Sequence, residues 1–574
     1  MKTRRGVAQA SRFVIGLDFG TLSARALLVE ARTGRELATA VHDYGEGVIE
    51  TELPGDRRRL PARTALQNPA DYLEAMRVTV PQIVREAGVN PEDVVGIGVD
   101  FTCCTVLPVT AAGAPLCFER RWRKNPHAWV KLWKHHSAQP QADYINEVAR
   151  RRQEYFLNVY GGKYSSEWFF SKLLETVEAA PEVYAAAGRF IEAGDWVVWQ
   201  LCGEEKRSLS AAGFKAMWVY PKGKEDGSAL GWKFPEPDFF RALHPQLAEV
   251  ISDKVASRFY PLGAKAGGLT KGWADALGLK EGTAVAVANI DAHAAVPACG
   301  VTTPGKMVLI LGTSTCHLLL STQRKEVEGI CGVVRDGVVP GYWGYEAGQP
   351  GVGDMFAWFV ENAVPGFVAD AAAKSNLDVH AWLEAEAAKL HPGETGLLAI
   401  DWWNGNRSVL VDADLSGALI GLTLSTRPAE IYRALIEATA FGTRKIIETF
   451  AREKIHVNKL YACGGLAKKN KLLLQIYADV TGLPIRVAAS EQASALGAAM
   501  QGAVAAGVFR TIHEAAKKIG RTEARIYKPN RAARSTYDAL YAEYSRLHDL
   551  FGRNPSSTLK VLKEQRDKAS RFRF

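Results

Sequence analysis

Three aspartates stand at the ends of strongly apolar stretches of the sequence. Asp18 ends "FVIGLD", Asp100 ends "VVGIGVD" and Asp291 ends "AVAVANID". A carboxylate avoids apolar surroundings unless a cation or hydrogen-bond donors meet it there. In such a place it can hold a metal cation or accept a proton. The pattern therefore predicts buried strands that deliver acidic groups to a bound ligand.

Two segments carry glycine and hydroxyl groups at similar spacing. Residues 20–21 (Gly-Thr) and residues 312–314 (Gly-Thr-Ser) each follow one apolar stretch and precede another. Each segment predicts a β-hairpin whose tight turn exposes backbone N–H groups and a hydroxyl, which can cradle phosphate. Asp18 corresponds to Ile310, so only the first copy carries an acid. Two unrelated hairpins are the alternative, and this pair of segments alone does not decide between the two interpretations.

Apolar strands alternate with helical stretches along the chain. Helices are predicted at residues 429–451 and in "KNKLLLQIYADVTG", which Gly482 can close. This alternation indicates α/β architecture with mixed sheets, in which ligands bind beyond the carboxyl ends of strands. "ASALGAAMQGAVAAG" predicts a closely packed helix, "HAWVKLWKHH" an amphipathic helix, and residues 221–240 a loop-rich insertion.

Composition limits the class of protein and its compartment. The chain has 574 residues, of which 47% are hydrophobic and 23% charged, and this is typical of a soluble protein of roughly two to four domains. We find no apolar run of membrane-spanning length, no secretory start and no C-x-x-C pair among the eight cysteines. We therefore expect a cytoplasmic protein with reduced thiols that binds neither a membrane nor structural zinc.

The basic excess is confined to the two ends of the chain. The net charge is +9, of which residues 1–12 carry +4 and residues 553–574 carry +5 from seven basic and two acidic residues. The tails 1–11 and 553–574 are predicted to be basic and flexible, whereas the balanced body predicts no nucleic-acid partner. "GVTTPGKM" is not a Walker A loop, because Met307 replaces the magnesium-binding hydroxyl and a strand follows instead of a helix.

Several segments together resemble the FGGY family of carbohydrate kinases: "GLDFGTLSARA", "LGTSTCH", "YACGGLAKKN", "NIDAHAAVP" and, above all, "GALIGLTLSTRPAEIYRALIE", which fits the family's C-terminal signature. The resemblance extends from residue 12 to about residue 507. It implies an α/β, two-domain, actin-like (ribonuclease H-like) ATPase fold with duplicated domains around a central cleft. We expect residues 12–300 to bind sugar and supply the base, and residues 301–552 to bind the nucleotide.

The resemblance also implies roles for the acidic and glycine-rich segments. Asp291 would accept the proton of the sugar hydroxyl during phosphoryl transfer, with a helix cap as the alternative role. Asp18 would hold Mg²⁺, through water, and could also stabilise its own turn. The implied contacts of ATP are Gly20, Thr21, Arg25, Gly312, Thr313, Ser314, Gly464, Gly465 and Asn470. Asn470 could equally cap the helix that follows it.

Further segments are similar to family members that phosphorylate ribulose, among them "GVDFTCCTVLPV", "AAGFKAMW", "GYEAGQ" and "DWWNGNRS". The implied sugar contacts are Cys103, Lys215, Asp291 and Glu346. Lys215 is a cation among apolar neighbours, so it needs a buried acceptor or must reach solvent past them. Cys103 replaces the small residue expected beside the sugar, which leaves the sugar preference open.

The implied activity is the ATP- and Mg²⁺-dependent phosphorylation of L-ribulose to L-ribulose 5-phosphate in L-arabinose catabolism, by a cytoplasmic homodimer that could also accept D-ribulose or ribitol. Another kinase of the family, acting on xylulose, D-ribulose or glycerol, is the nearest alternative. A non-catalytic sugar sensor is disfavoured by the intact Asp18 and Asp291. An actin- or chaperone-type ATPase is disfavoured by the C-terminal signature.

Overall fold

The computed structural model describes residues 12–220, 233–255, 258–554 and 557–570. The strands are β1 (Phe13–Phe19), β2 (Ser23–Glu30), β3 (Glu36–Asp43), β4 (Leu66–Gln67), β5 (Val94–Phe101), β6 (Val106–Val109), β7 (Val130–Lys131), β8 (Arg189–Glu192), β9 (Arg207–Ser208), β10 (Phe259–Tyr260), β11 (Lys265–Gly268), β12 (Ala284–Ala286), β13 (Asn289–Ile290), β14 (Lys306–Leu311), β15 (Thr315–Ser321), β16 (Gly332–Arg335), β17 (Trp343–Gln349), β18 (Leu398–Ile400), β19 (Ala418–Ile420), β20 (Lys459–Cys463), β21 (Ile485–Ala488) and β22 (Thr522–Tyr527).

The helices are α1 (Pro69–Ala87), α2 (Gln139–Arg152), α3 (Phe156–Val159), α4 (Phe169–Ala179), α5 (Pro181–Ala186), α6 (Ala193–Cys202), α7 (Leu209–Lys215), α8 (Pro237–Leu243), α9 (Val250–Lys254), α10 (Lys271–Leu277), α11 (Asp291–Ala298), α12 (Gly353–Asn362), α13 (Gly366–Lys374), α14 (Val379–Ala387), α15 (Pro428–Arg452), α16 (Gly465–Lys469), α17 (Lys471–Thr481), α18 (Ala493–Ala505), α19 (Ile512–Ile519), α20 (Arg534–Gly552) and α21 (Thr558–Ser570).

Two seven-stranded mixed sheets repeat one arrangement of strands. In the first sheet β1, β2 and β3 are joined antiparallel, β5 and then β12 follow β1 in parallel, and β11 lies antiparallel at the edge. In the second sheet β14, β15 and β17 are antiparallel, β20 and β21 follow β14 in parallel, and β22 lies antiparallel beyond them. The shared order and direction confirm the predicted duplication and the α/β class.

The first strand of the first sheet is buried along its whole length. Phe13, Ile15, Leu17 and Phe19 belong to an apolar core that α1 also joins, whereas Val14 belongs to the core that contains α18. Side chains alternate between the faces of a strand, so an uninterrupted apolar run signals a sheet that is covered on both faces. Asp18 lies on this strand, and its side chain is buried because both faces of the sheet are covered by other elements.

Helix α18 approaches the first sheet with backbone against backbone. A Cβ atom at Gly16 or at Gly98 would lie 1.8 Å from a carbonyl oxygen of α18, and one at Gly497 would lie 1.8 Å from the carbonyl oxygen of Ala294 in α11. Only glycine leaves room for such contacts. The closely packed helix predicted from the Ala- and Gly-rich segment is therefore confirmed, and so are the helices predicted around residues 429–451 and before Gly482.

We call residues 12–300 the first half of the chain and residues 301–552 the second half. The division at residue 300 falls between β13 and β14, the last strand of the first sheet and the first strand of the second. Helix α18 belongs to the second half by sequence but packs on the first sheet. The division of the chain into two domains at this residue therefore stays a prediction.

The segment "HAWVKLWKHH" does not form the predicted amphipathic helix. It contains a 3-10 turn at Pro126–Ala128 and the strand β7, which pairs with β4 and β6. The Lys131 side chain points inwards, where its Nζ donates to Glu175 Oε2 at 2.5 Å. The buried contact of Lys131 with the distant Glu175 therefore accompanies a strand at this position instead of the predicted helix. The loop-rich insertion predicted at residues 221–240 lies mostly outside the described residues.

The C-terminal segment differs from the predicted flexible tail. Residues 558–570 form α21, with Leu559 buried. Lys560 pairs with Asp412 at 2.6 Å and Lys563 pairs with Asp414 at 2.7 Å, so part of the basic charge of the tail is neutralised by the second half. The tail at residues 1–11 lies outside the described residues. Within the described ranges, no helix combines the length and apolar character needed to cross a membrane.

The glycine contact between β5 and α18 predicts a sharp difference between two substitutions. Gly98→Ala should lower the free energy of unfolding by about 3 kcal/mol or more, because its Cβ has no space beside Ala498. Gly272→Ala is the matched control, since nothing lies within 4 Å of a Cβ atom at that position in α10. Urea denaturation of both variants checks this, and equal stabilities would show that α18 does not rest on β5.

Candidate active site

A cavity of about 980 Å³ opens where β5, β13 and β14 end. Its lining includes predicted contacts of both the sugar and the nucleotide: Thr21, Cys103, Lys215, Asp291, Thr313, Ser314 and Glu346. These residues come from both halves of the chain. The structure therefore brings the predicted base, the predicted sugar contacts and the second phosphate turn to one space.

A backbone hydrogen bond from the glycine closes each of the two predicted phosphate turns, and the first turn is one residue longer than the second. The N–H of Gly20 donates to the carbonyl of Ser23, and the N–H of Gly312 donates to the carbonyl of Ser314, each at 2.9 Å. The first turn is tied further by the indole of Trp133, whose Nε1 donates to the hydroxyl of Thr21 at 3.0 Å. No local sequence pattern indicates this tryptophan contact, because 112 residues separate the partners.

Gly464, Gly465 and Asn470, which are also predicted nucleotide contacts, are not among the residues that line this cavity. Gly464 follows β20 with a φ of 90°, and a Cβ atom there would lie 2.5 Å from the carbonyl oxygen of Leu311, so this glycine is needed for strand packing. Gly465 begins α16 with open space around its Cβ position. Asn470 caps α17 by accepting from the N–H of Leu473 at 2.8 Å. The nucleotide role of these residues stays a prediction.

Asp291 lies at the start of α11 and faces the cavity. Its Oδ1 accepts from the N–H of Ala292 at 2.7 Å, and its other oxygen has no hydrogen-bond partner among the described residues. Burial, followed by the nearby Asp18 carboxylate, raises the pKa of Asp291 to about 7. The two roles considered for this residue are compatible, because one oxygen meets the helix backbone and the other is free to accept a proton.

Asp18 and Arg25 lie opposite each other on β1 and β2 and form a salt bridge at 3.3 Å. On the other side of β1 the register places Asp18 beside Asp100, whose fully buried oxygens have no hydrogen-bond partner among the described residues. Burial and the Asp18 carboxylate raise the pKa of Asp100. Carboxylate oxygens suit Mg²⁺, and no group of three or more His, Cys, Asp and Glu side chains in the described residues could hold a metal. This donor set fits a cation that takes most of its ligands from phosphate and water.

Lys215 and Glu346 form a buried ion pair in the cavity, with Nζ and Oε1 at 2.7 Å. The second carboxylate oxygen lies 3.2 Å from Nε2 of His293. Burial opposes ionisation of Glu346, but Lys215 and His293 outweigh it and hold the pKa of this carboxyl well below its usual range. Burial likewise opposes the charge of Lys215, and Glu346 reverses this effect and raises the pKa of the lysine. Both charges are therefore retained.

His293 is fully buried, and both nitrogens of its ring make polar contacts. Its Nδ1 lies 3.0 Å from the hydroxyl of Ser210 and 3.1 Å from the carbonyl oxygen of Gly337, while Nε2 faces Glu346. The histidine thus connects the helix of the candidate base to the acid predicted to bind sugar. Sequence reasoning did not assign this role, because 53 residues separate His293 from Glu346.

Cys103 lines the cavity as a thiol. Burial, followed by the neighbouring Cys104, raises the pKa of Cys103 well above its usual range. A thiol of this kind is a poor nucleophile. The thiol occupies a position in the cavity lining where a smaller residue was expected, and its role towards the sugar stays a prediction.

Comparison with known proteins shows the family of the chain. The C-terminal domain of the FGGY family of carbohydrate kinases matches residues 307–506. The chain is 52% identical over 562 residues to a protein from Geobacillus thermodenitrificans, covering 97% of this chain and 98% of that protein. It is 48% identical over 563 residues to one from Mycolicibacterium smegmatis, with 98% of each chain covered. The chain belongs to the FGGY family of carbohydrate kinases and is a phosphotransferase with an alcohol group as acceptor. Both relatives are ribulokinases.

Solved structures show the same fold. A ligand-bound xylulose kinase from Lactobacillus acidophilus aligns with a TM-score of 0.76 at 15% identity, over 94% of this chain and 98% of that one. A xylulose kinase from Rhodospirillum rubrum aligns with a TM-score of 0.72 at 23% identity, over 94% and 98% of the two chains. The predicted actin-like, two-domain kinase fold is therefore confirmed, and the family uses ATP as phosphoryl donor.

The contacts of His293 predict opposite outcomes for two amide substitutions. The amide nitrogen of Gln reaches the place of Nε2 and that of Asn the place of Nδ1, so only His293→Gln keeps a donor to Glu346. We expect His293→Asn to raise the KM for sugar about tenfold or more and His293→Gln to stay within about threefold of the parent. Steady-state kinetics decide this. Ser210→Ala, which removes a contact only on the Nδ1 side, is the control, and equal effects of Asn and Gln would exclude the proposed positioning.

The raised pKa of Asp291 predicts an acid limb in the pH profile. Asp291 accepts a proton only when it is ionised, so kcat/KM for sugar should fall about tenfold for each pH unit below the pKa of Asp291. This pKa is about 7 in the protein alone and moves lower when Mg²⁺ neutralises Asp18. The measurement is kcat/KM from about pH 5.5 to about pH 9 at saturating ATP. Circular dichroism at each pH verifies that the protein stays folded. A rate that is constant down to the lowest pH would contradict the assignment of Asp291 as base.

Proposed function

We propose that this protein transfers the γ-phosphoryl group of ATP to the terminal hydroxyl of L-ribulose and so forms L-ribulose 5-phosphate. The observation that carries the proposal is the meeting of Asp291, Lys215 and Glu346 in one cavity. We infer the identity of the substrate from the relatives named ribulokinase, which match nearly the whole chain. L-arabinose catabolism, in which L-ribulose arises, is the pathway we propose for this activity.

The sugar is oriented before transfer by the ion pair of Lys215 and Glu346. The ammonium group of Lys215 donates to an oxygen of the ketose, and Glu346 accepts from its hydroxyl groups with lone pairs that the ion pair leaves free. This places the terminal hydroxyl beside the unpaired oxygen of Asp291. Because the sugar is neutral, the charges of the site stay paired with each other whether or not the sugar is bound.

Asp291 takes the hydroxyl proton as the sugar oxygen attacks the γ-phosphorus and the bond to the β-phosphate oxygen breaks. We assign the contacts of the phosphates to the two turns, with Gly20, Thr21 and Arg25 on one side and Gly312, Thr313 and Ser314 on the other. Asp18 would hold Mg²⁺, which supplies positive charge to the β- and γ-phosphates when it is bound. Closure of the cavity around the sugar excludes water, which would otherwise compete as acceptor.

Cys103 is the observation that favours a second substrate. Its side chain occupies part of the cavity wall, and a changed wall can alter which pentose or polyol fits. D-ribulose and ribitol are the second candidates on this ground. We further propose a cytoplasmic location and a homodimer. The location is supported by the eight cysteines, which are all free thiols as in a reducing compartment.

The substrate is tested by coupled ADP release with Mg²⁺-ATP and a panel of L-ribulose, D-ribulose, ribitol, xylulose and glycerol. We expect the highest kcat/KM with L-ribulose. Asp291→Asn should lower kcat by about a hundredfold to ten-thousandfold while sugar binding persists, since general-base catalysis contributes this much.

Two outcomes would contradict the proposed function in different ways. Preference for xylulose or glycerol would leave the family and mechanism in place and overturn the substrate. An absence of turnover on every sugar, with ATP still bound, would favour the non-catalytic sugar sensor.

A further inference from the structure

A second ion pair joins the two halves of the chain at the cavity. Glu167, just before α4, lies with its Oε1 3.1 Å from Nη2 of Arg407, in the loop after β18. Both residues line the cavity, and their side chains are 14% and 17% exposed. Arg407 belongs to the "DWWNGNRS" segment, which supplies no residue to the proposed mechanism.

Most donors of the Arg407 guanidinium have no hydrogen-bond partner among the residues that the structure describes. A guanidinium carries five N–H donors, and the bond to Glu167 is the single hydrogen bond of the Arg407 side chain within the described residues. The ring of Trp133 lies 5.8 Å from the guanidinium carbon. None of these donors is fully buried and Arg407 lines the cavity, so they are open to the cavity, where an acceptor-rich ligand can bind them.

Arg407 lies next to the acid that is predicted to bind the sugar. A Cβ atom at Gly348 would lie 3.1 Å from Cδ of Arg407, so the absence of a side chain at this position makes room for the arginine. Glu346 and Gly348 are two residues apart on β17 and face the same side of the sheet. Arg407 therefore rests against the strand face that presents Glu346 to the cavity.

The charge of Arg407 is secured by its surroundings. Burial disfavours the guanidinium charge, but Glu167 outweighs this and raises the pKa of Arg407. Burial also opposes ionisation of Glu167, and Arg407 and then His136 outweigh it and lower the pKa of this carboxyl. The pair is thus charged before any ligand enters, and Glu167 anchors one end of the guanidinium at the cavity.

We propose that Arg407, oriented by Glu167, is a sugar-binding residue that donates hydrogen bonds to hydroxyl groups of the ketopentose. The sugar then lies between two ion pairs of opposite polarity. In Lys215–Glu346 the first half supplies the cation, and in Glu167–Arg407 the first half supplies the acid. This inference rests on the proposed function, because it names further contacts of the same substrate.

The proposal has a direct consequence for selectivity. A sugar that lacks the contacted hydroxyl leaves guanidinium donors unpaired in a desolvated site, and such sites reject the analogue strongly. Arg407 would therefore contribute to the choice between pentuloses that differ only in hydroxyl groups remote from the reacting one.

The test compares Arg407→Gln and Arg407→Lys with the parent enzyme. L-ribulose binding is measured by isothermal titration without nucleotide, and KM values for sugar and ATP by steady-state kinetics. We expect Arg407→Gln to weaken sugar binding about 30-fold or more, with the KM for ATP within about threefold. Arg407→Lys keeps the charge and loses the planar donors, so it should fall between the parent and Arg407→Gln.

A set of monodeoxy analogues of L-ribulose locates the contact. For the parent enzyme, one analogue should lose affinity because it lacks the hydroxyl bound by Arg407. In Arg407→Gln the same analogue should lose little further affinity, since the two changes remove one interaction. Purely additive losses at every carbon would overturn the proposal.

Arg444→Gln is the matched control. Arg444 also pairs with acids, Glu448 at 3.0 Å and Asp538 at 2.7 Å, and its guanidinium lies 4.0 Å from the ring of Tyr541, but it is not part of the cavity. This variant can lower stability, but its sugar affinity should equal that of the parent. A tenfold loss of sugar affinity in the control would mean that any lost arginine pair disturbs the site.

Three further results would overturn the proposal. If Arg407→Gln binds L-ribulose as the parent does and only melts at lower temperature, the ion pair is a structural tie. If the KM for ATP rises while that for sugar does not, Arg407 serves the phosphates. If the parent enzyme binds no sugar of the panel, the proposed function fails and takes this inference with it, whereas in the first two cases the proposed function stands.

Discussion

The sugar cavity depends on the ion pair between Lys215 and Glu346. Its two charges lie 2.7 Å apart with side chains only 6% and 8% exposed, and neither could remain there alone, because an unpaired buried ion costs several kcal/mol. Lys215 ends α7 in the first half, whereas Glu346 stands on β17 in the second half. The pair therefore requires the halves to meet at the cavity. His293 binds the same carboxylate and ties it to the helix that begins with Asp291.

The two sheets have the same strand order but present different functional groups to the cavity. Each sheet brings a tight glycine turn to the cavity region, but only the first copy carries an acid at Asp18, where the second has Ile310. The base also follows a strand of the first sheet. The second half contributes Glu346 and Arg407 from its own sheet and loops. A symmetric scaffold thus serves a reaction with two different substrates because its copies diverged at single positions.

Local sequence patterns predicted most of the helices, strands and turns discussed above. The features that they did not predict depend on contacts between residues far apart in the sequence. The turns, the long helix α15 and the packed helix α18 follow from glycine placement and apolar periodicity, which are properties of neighbouring residues. The strand at Lys131 was mistaken for a helix because its partner Glu175 is 44 residues away. The same limit applies to the site. The resemblance to the family named the base and, separately, Lys215 and Glu346, but it did not predict that these two pair across 131 residues. Glu167 and Arg407 are 240 residues apart, and no spacing rule joins them.

The central claim is that the sugar contacts both halves of the chain at once, and hydrogen exchange followed by mass spectrometry tests it most directly. L-ribulose is added without nucleotide, and amide exchange is compared with that of the free protein. Because the sugar contacts both halves, we expect slower exchange in peptides covering residues 161–168 and 209–217 of the first half, and residues 343–349 and 403–416 of the second. Protection confined to one half, or no protection in either, would contradict it.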